Sequence, residues 1–460
     1  MRRLFSLLLV VCALAAAQGV DAIWSAGWVV TMDGARRVIQ DGAVAVKADR
    51  IIAVGTRREI DAQYKAKQRV DKPTAILMPG FIDTHTHAPM VLFRGIADDM
   101  RLQEWLEKFI FPAEARNVDA EFVRWGTRMA CLEMMLAGTT TYTDMYYFED
   151  VIAEETKAAG LRGVLGQTII GFPAPDYKTP KAALEGAAKY IQRFKNDPLI
   201  VPAVAPHAIY TVADDILKAS RDLANQYQVP ILIHLSETKR ENDDEMKKRG
   251  ASPTQILDKL GFFSGGHTLG AHGVWLDDAD LKTLKSHNVG LAHCPSSNMK
   301  LASGTARVVD ILAAGINMGL GTDGFAGSNN DATLMEEMDL AAKQQKVTRL
   351  DPTALTAQQA VEMATITGAK ALGLDKEIGS LETGKRADMI TISLDEPRAT
   401  PMYNVYSQLV YALKGSDVRD VMVNGRMIVK DRRVLSLNPS VVIAKAKEYQ
   451  KRITASLEKK

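Results

Sequence analysis

The stretch that decides the fold is Met78-Pro79-Gly80-Phe81-Ile82-Asp83-Thr84-His85-Thr86-His87. An apolar run from Ala75 to Ile82 ends there in two histidines spaced His-x-His. Side chains two residues apart on a β-strand point to the same face, so His85 and His87 project together from one strand end. Two imidazoles fixed in this way form half of a site for zinc or a neighbouring first-row metal. The spacing alone also fits a pair of surface histidines, so the remaining histidines decide between the two interpretations.

The composition is that of a globular protein that acts on a small molecule. The chain has 460 residues, 47% of them apolar and 24% charged, and a formal net charge of +2. This length exceeds one average domain and can bury a large core. No basic stripe is present, which argues against a nucleic-acid partner. The implied partner is therefore a small-molecule substrate.

The first residues have the pattern of a secretory signal. Arg2 and Arg3 precede an apolar stretch, Leu4 to Ala17, that ends in three alanines. A charged start, a short apolar core and a small-residue end predict a signal peptide over residues 1–17, with cleavage after Ala17 and, as second choice, after Ala22. The stretch is too short for a stable membrane span. The sequence thus predicts export, to the periplasm or the medium; the alternative is a buried first strand.

From residue 75 onward, short apolar strands alternate with longer helical segments. Eight strands are predicted: Ile76–Asp83, Thr139–Tyr146, Arg162–Ile170, Ile200–Pro206, Val229–Leu235, Thr268–Val274, Val289–Cys294 and Asn317–Gly321. Eight strands with intervening helices over about 250 residues are typical of an α/β fold, the (β/α)₈ TIM barrel, here over residues 75–376. A doubly wound open sheet is the alternative, but no Gly-x-Gly-x-x-Gly follows an early strand.

The two ends of the chain are rich in β-strand patterns. Residues 18–74 and 377–437 contain short apolar runs, and Asn424-Gly425 predicts a two-residue hairpin. We expect these segments to pair with each other in a small β-sandwich beside the barrel. Residues 438–460 predict a charged C-terminal helix.

Polar residues gather where the predicted barrel strands end. In a (β/α)₈ barrel the active site lies at the C-terminal ends of the strands. Six of the eight histidines and one aspartate fall at those positions: His85, His87, His207, His234, His272, His293 and Asp323. This concentration favours a catalytic mouth over scattered surface histidines.

A metal site and its catalytic groups can be chosen from this set. His85, His87 and His234 offer three nitrogens, and Asp323 offers an oxygen. A metal so held lowers the pKa of its water from about 15.7 toward 7, and Asp323 can take the proton. Glu237, three residues after His234, is suited to general acid/base catalysis, and His272 can stabilise charge on the attacking oxygen.

The predicted third and fourth strands carry no lysine that could bridge two ions, so one divalent metal per chain is expected. Zinc is favoured, with iron(II) and manganese(II) as alternatives.

At this point the sequence resembles the amidohydrolase superfamily, in the branch of the 5-methylthioadenosine/S-adenosylhomocysteine deaminases and triazine chlorohydrolases. The resemblance rests on motifs that span most of the chain, in the family's order: Pro79-Gly80-Phe81-Ile82-Asp83-Thr84-His85-Thr86-His87, Pro206-His207, His234-Leu235-Ser236-Glu237-Thr238, Ala271-His272-Gly273, His293-Cys294-Pro295-Ser296-Ser297-Asn298 and Gly321-Thr322-Asp323-Gly324. It implies the TIM barrel, a metal centre and a hydrolytic reaction.

The resemblance also implies a substrate and its contacts. It implies removal of ammonia from a 6-aminopurine nucleoside of the 5-methylthioadenosine, S-adenosylhomocysteine or adenosine type, with attack by a metal-bound hydroxide. In it, Glu104 of Glu-Trp-Leu contacts the ribose and His207 the base, Glu237 protonates the ring nitrogen, and Asp323 passes a proton to the leaving amine. Gln167 stands where some members have a carboxylate-binding arginine, and Ser236 where a bulkier residue is common.

Two other functions remain open from the sequence. One is hydrolysis of another heterocycle at the same metal site: amino or chloro hydrolysis of a triazine or guanine, or cleavage of a cyclic amide. The other is an exported metal-binding protein without activity, which predicts loss of a catalytic group; Glu237, His272 and Asp323 are all present. The sequence does not fix the oligomeric state, and a homo-oligomer is compatible with it.

Overall fold

The computed structural model describes residues 17 to 458, so all but the last residue of the predicted signal peptide lies outside the described residues. The chain starts with four strands and one helix: β1 (Gln18–Val30), β2 (Val38–Lys47), β3 (Arg50–Thr56), α1 (Arg57–Gln63) and β4 (Tyr64–Pro79). Thr56 is the N-cap residue of α1. Its hydroxyl accepts a hydrogen bond from the backbone N–H of Glu59, and the Glu59 carboxylate accepts one from the backbone N–H of Thr56. This reciprocal cap satisfies amides that the first helical turn leaves free.

Eight parallel strands then close into a barrel. They are β5 (Phe81–His87), β6 (Thr139–Tyr146), β7 (Arg162–Ile169), β8 (Ile200–Pro206), β9 (Ile231–Leu235), β10 (Thr268–His272), β11 (Gly290–His293) and β12 (Met318–Leu320). Each strand pairs with the next, and β12 returns to β5 through Leu320 and Asp83. A two-residue strand, β13 (Asp323–Gly324), continues that seam beside Thr86 and His87. The predicted (β/α)₈ barrel is confirmed.

The helices of the barrel surround it or cover its ends. They are α2 (Leu102–Trp105), α3 (Phe111–Asn117), α4 (Ala120–Leu136), α5 (Glu149–Ala159), α6 (Pro180–Phe194), α7 (Asp214–Tyr227), α8 (Lys239–Arg249), α9 (Pro253–Lys259), α10 (Asp278–Ser286), α11 (Pro295–Lys300), α12 (Val308–Ala313), α13 (Leu334–Arg349), α14 (Ala357–Met363) and α15 (Ile366–Ala371). Apolar side chains of the strands, such as Ile82 and Leu232, form one cluster with Ala369 and Ala371 of α15. The barrel is therefore a packed core, which leaves only its mouth for a ligand.

The chain ends return to the first sheet. The last elements are β14 (Met389–Ser393), α16 (Val405–Ser407), β15 (Val418–Val423), β16 (Arg426–Lys430), β17 (Arg433–Val434) and α17 (Pro439–Glu458). Hydrogen bonds join both ends into one continuous eight-stranded sheet, in the order β17-β16-β15-β14-β4-β1-β2-β3. Its core buries Trp24 and Met389, one from each end of the chain. The predicted pairing of the two ends is confirmed, and α17 occupies the predicted C-terminal segment.

The boundary between the two units differs from the prediction. The apolar run from Ala75 to Ile82 is shared by two strands, because β4 extends to Pro79 and β5 starts at Phe81. Gly80 lies between them, and a Cβ there would come within 2.1 Å of the Thr140 side chain. The predicted barrel start at residue 75 is therefore too early, and the predicted strand Ile76–Asp83 is wrong. Hydrophobicity could not reveal the break, since the end of β4 and the start of β5 are both buried.

Among residues 17–458, no helix has both the length and the apolar character needed to cross a membrane.

Candidate active site

A cavity of about 570 Å³ opens at the C-terminal ends of the barrel strands. Polar residues from several strands line its floor: His87, His207, His234, Glu237, His272 and Asp323. The segment that follows β5 forms its apolar wall, mainly through Met90, Leu102, Trp105, Leu106, Ile110 and Phe111. The cavity thus combines a polar floor, suited to chemistry, with an apolar wall, suited to a flat ring.

His85 and His87 both lie within β5 and point to one side, as predicted. Their Nε2 atoms lie 3.3 and 3.4 Å from the same oxygen, Oδ1 of Asp323. The Nδ1 of His87 lies 2.7 Å from the carbonyl oxygen of Met145, to which it can donate. That hydrogen bond fixes the tautomer and leaves Nε2 as a free lone-pair donor.

Buried hydrogen bonds hold β5 between its neighbours. Asp83 accepts from the backbone N–H of Thr322 at 3.1 Å and from its hydroxyl at 2.6 Å. On the other side, the Thr86 hydroxyl donates to Asp144 at 2.7 Å. At Gly321, a Cβ would come within 2.9 Å of His85 Cβ, so glycine permits the close approach. The two histidines therefore project from a strand that cannot shift.

His234 completes the nitrogen set from the end of β9. Its Nδ1 lies 2.8 Å from the carbonyl oxygen of His207, and its Nε2 lies 3.3 Å from Nε2 of His87. The Nε2 of His85 is buried and makes no hydrogen bond within residues 17–458. Three imidazole nitrogens and a carboxylate oxygen that converge with free lone pairs fit a divalent metal of the zinc type. The ligand atoms of His85, His87 and Asp323 lie within 4.8 Å of one another.

Asp323 is the fourth member of this set. Its second oxygen, Oδ2, accepts a hydrogen bond from the Ser297 hydroxyl at 2.5 Å, which turns Oδ1 toward the histidines. Burial opposes its ionisation, but the contact with His85 at 3.3 Å and the nearby imidazoles outweigh burial and hold the pKa of Asp323 well below 3.8. Asp323 is thus a carboxylate at neutral pH, as a metal ligand must be.

Glu237 and His272 face each other at the side of the metal set. The Oε2 of Glu237 lies 3.8 Å from Nε2 of His272, and both side chains are buried. Burial and the charge of Asp323 raise the pKa of Glu237 well above 4.5, so its carboxyl can carry a proton at neutral pH. The Nδ1 of His272 lies 3.1 Å from Oδ1 of Asn298, which orients the ring.

Three residues in or next to the site have left-handed backbone conformations. The φ angles are 48° at Ser236, 74° at His272 and 63° at Asp323. None is glycine, and such conformations cost about 1–3 kcal/mol each. The structure therefore accepts strain where strands end in catalytic positions.

His207 lines the cavity, whereas His293 does not. The Nδ1 of His207 lies 2.9 Å from the Thr211 hydroxyl, and burial lowers the pKa of His207 to about 3, so the ring is neutral. His293 is fully buried, and neither ring nitrogen has a partner within residues 17–458. Burial also raises the pKa of the Cys294 thiol well above 9, which makes that thiol unreactive.

Glu104, the predicted ribose contact, is not among the residues that line the cavity. Its carboxylate is half exposed and pairs with Lys108 at 2.9 Å, while its neighbours Trp105 and Leu106 line the cavity. Gln167 and Ser236 do not line it either: Gln167 donates to Asp176 at 2.9 Å, and Ser236 to Asn242 at 3.2 Å.

Sequence reasoning missed another polar part of the wall. Glu114, Tyr146 and Tyr147 line the same cavity. Tyr146 ends β6, so its position at a strand end was a usable signal. Glu114 lies on a helix of the segment after β5, where no pattern in the sequence indicated its direction.

Comparison with known sequences and structures shows which proteins this chain is similar to. Residues 76–428 match the model of the Amidohydrolase family. A 5-methylthioadenosine/S-adenosylhomocysteine deaminase of Syntrophus aciditrophicus is 44% identical over 96% of this chain and 99% of its own length. A 5′-deoxyadenosine deaminase of Methanosarcina mazei is 41% identical over 95% of this chain and 99% of its own. A solved adenosine deaminase of Xanthomonas campestris with bound zinc superposes with a TM-score of 0.93 at 36% identity, over 95% of this chain and all of that one.

Proposed function

This chain belongs to the amidohydrolase family of metal-dependent hydrolases, and we propose that it deaminates a 6-aminopurine nucleoside of the 5-methylthioadenosine, S-adenosylhomocysteine or adenosine type. The observation that carries the proposal is the convergence of His85, His87, His234 and Asp323 beside a cavity that a protonatable Glu237 lines. Relatives more than 40% identical over nearly the whole chain are deaminases of adenosine derivatives. Product and ammonia leave after water replaces the amino group.

The residues of the floor divide the proton transfers between them. His85, His87, His234 and Asp323 would hold a divalent metal, which would lower the pKa of a water from about 15.7 toward 7. Asp323 would accept a proton from the attacking water and later deliver it to the leaving amine. Glu237 protonates the ring nitrogen next to the carbon under attack, which its raised pKa allows. His272 stabilises charge on the attacking oxygen.

The remaining cavity residues suit a purine. Neutral His207 can exchange hydrogen bonds with ring nitrogens without a charge. Met90, Trp105 and Leu106 offer the apolar wall against which the flat ring packs. A flat heterocycle with its amino group toward the floor satisfies both.

Zinc is the proposed metal, one ion per chain. The set of three imidazoles and one carboxylate suits zinc, and the related Xanthomonas campestris deaminase holds zinc. Elemental analysis of purified protein measures this directly. One equivalent of zinc per chain supports the proposal. One equivalent of iron or manganese in a fully active protein would instead assign that metal to the site.

Ammonia release tests the reaction. The metal-loaded protein is assayed with adenosine, 5′-methylthioadenosine, 5′-deoxyadenosine and S-adenosylhomocysteine, and with guanine, cytosine and aminated triazines in the same panel. Rapid release from an adenosine derivative is expected, with loss of the absorbance of a 6-aminopurine. Release of ammonia only from guanine or a triazine overturns the substrate assignment and leaves the metal-site assignment standing.

Export is a separate proposal, supported by the start of β1. β1 begins at Gln18, directly after the predicted cleavage position at Ala17. Cleavage after Ala22 would remove residues that pair in the sheet, including Ala22 opposite Val46. Cell fractionation and N-terminal sequencing of the full-length product should find it outside the cytoplasm and beginning at Gln18. A cytoplasmic product that begins at residue 1 overturns this proposal.

A further inference from the structure

Glu114 is a buried acid in the wall of the substrate cavity that the proposed reaction does not use. It lies in α3, and only 3% of its surface is exposed. Its Oε1 accepts from the Tyr146 hydroxyl at 2.7 Å, and its Oε2 from the Tyr147 hydroxyl at 3.3 Å. Each carboxylate oxygen can accept a further hydrogen bond, so two tyrosines leave the acid with free acceptor capacity.

No cationic side chain among residues 17–458 pairs with Glu114. Its surroundings are aromatic instead, with Phe111, Tyr146 and Tyr147 lining the same cavity. Burial raises the pKa of Glu114 to about 7, because its charge has no counter-ion. A positively charged ligand group would remove that penalty, and the aromatic faces would add attraction of their own.

Glu114 lies away from the metal set, on the side of the cavity where a substituent of the substrate, rather than its reacting carbon, would be bound. The Tyr146 ring lies between the carboxyl of Glu114 and the metal set, with its centroid 6.4 Å from that of His87. Glu114 and Tyr147 also line a side pocket of about 370 Å³, together with Phe172 and Lys178. The ammonium group of Lys178 is directed at the carbonyl oxygen of Ala174, 2.7 Å away, rather than at Glu114. Glu114 is therefore one tyrosine ring away from the metal set, at a distance that a substituent of a bound ring, rather than the ring itself, would span.

We infer that Glu114 is a specificity-determining residue that binds a positively charged amine on the substituent of the substrate, remote from the reacting carbon. This inference rests on the proposed deaminase function and names a favoured substrate class within it: nucleosides whose 5′ substituent carries an ammonium group. The two tyrosines hold the carboxylate in place for that contact.

Kinetics with matched substrates test the inference. Wild type and Glu114→Gln are compared on 5′-amino-5′-deoxyadenosine and S-adenosylhomocysteine, which carry an amine, and on 5′-methylthioadenosine, which does not. The amide keeps the size of the side chain, and its oxygen still accepts from one of the two tyrosines. We expect kcat/KM to fall about tenfold or more for the amine substrates, mainly through KM, and to change less than about twofold for 5′-methylthioadenosine.

Controls separate this role from a structural one. Glu107→Gln, on the exposed side of the same segment, should leave kcat/KM unchanged for the amine substrates and for 5′-methylthioadenosine. Tyr147→Phe should reproduce the selective loss of kcat/KM on the amine substrates in a milder form. An equal loss on all three substrates, or no loss on any, overturns the assignment of Glu114. If wild type itself releases no ammonia from any adenosine derivative, the proposed function fails, and the substrate class inferred here fails with it.

Discussion

The floor and the wall of the cavity are built in different ways. Floor residues such as His87 and His234 project from barrel strands, and the Nδ1 of each is hydrogen-bonded to a backbone carbonyl oxygen. The wall comes from residues 88–117, a succession of short helical turns. Its fixed points include the Trp105 indole, which donates to the Ala326 carbonyl oxygen at 2.9 Å, and Asp98, which lies 2.6 Å from Lys300. Thus the proposed catalytic groups lie at the ends of barrel strands, and most of the proposed substrate wall lies on short helical turns.

Removal of a floor ligand should have the largest effect. His234→Ala leaves two imidazoles and one carboxylate, so metal content and turnover should both be lost. We expect kcat/KM to fall roughly 10³-fold or more, since a metal supplies several kcal/mol of transition-state stabilisation. Metal analysis and ammonia release measure this on one sample. His287→Ala, at a half-exposed histidine paired with Asp258, is the matched control and should keep both. A His234→Ala protein with full metal content contradicts the ligand assignment.

Glu237→Gln should separate chemistry from metal binding within the floor. The amide cannot donate a carboxyl proton, so kcat should fall by about 10²–10⁴-fold while one metal per chain remains. Glu185→Gln, at an exposed position of α6, controls for the loss of a charge. Unchanged turnover in Glu237→Gln would falsify its role as the acid.

Ser297→Ala tests whether the rigidity of the floor matters. Loss of the 2.5 Å hydrogen bond frees Oδ2 of Asp323, so Oδ1 is no longer held toward the histidines. Loss of a residue that is hydrogen-bonded to a metal ligand typically lowers metal affinity or activity by about 10–100-fold. We expect the metal affinity of Ser297→Ala to fall by that amount. Competition with a chelator measures it. Ser286→Ala, at the exposed end of α10, should leave the affinity unchanged, and an equal affinity in both variants refutes the positioning role.

Glu104→Gln should have the smallest effect and tests the wall. Its carboxylate is exposed and pairs with Lys108, an arrangement worth little in solvent, so KM for an adenosine derivative should change less than about twofold. A tenfold rise in KM would instead show that the segment moves on binding and brings Glu104 to the ribose, as the family resemblance implies. Glu107→Gln provides the reference for a charge change on this segment.

Much of the fold followed from patterns that are local in sequence. The predicted strands Thr139–Tyr146 and Ile200–Pro206 agree with β6 and β8 to the residue. The first barrel strand was misplaced because the apolar run continues through Gly80 from one sheet into the other. The histidines of the floor could be placed because they end strands of a fold whose strand ends converge.

The wall could not be predicted in the same way. Its helices are short, and the direction of a side chain there depends on packing against distant segments. Glu104 and Glu114 have the same charge and lie ten residues apart, yet one is exposed and the other is buried between two tyrosines. Neither hydrophobic period nor spacing distinguishes them.

The sequence by itself determined the barrel and predicted its metal-binding set and the class of reaction, because strand periodicity and histidine position are properties of short segments. Only the tertiary structure decided the joint at Gly80, the hydrogen bond that turns Asp323 toward the histidines, and the choice of Glu114 rather than Glu104 for the cavity wall. Each of these depends on contacts between residues far apart in the chain, and such contacts exist only when all eight strands have closed.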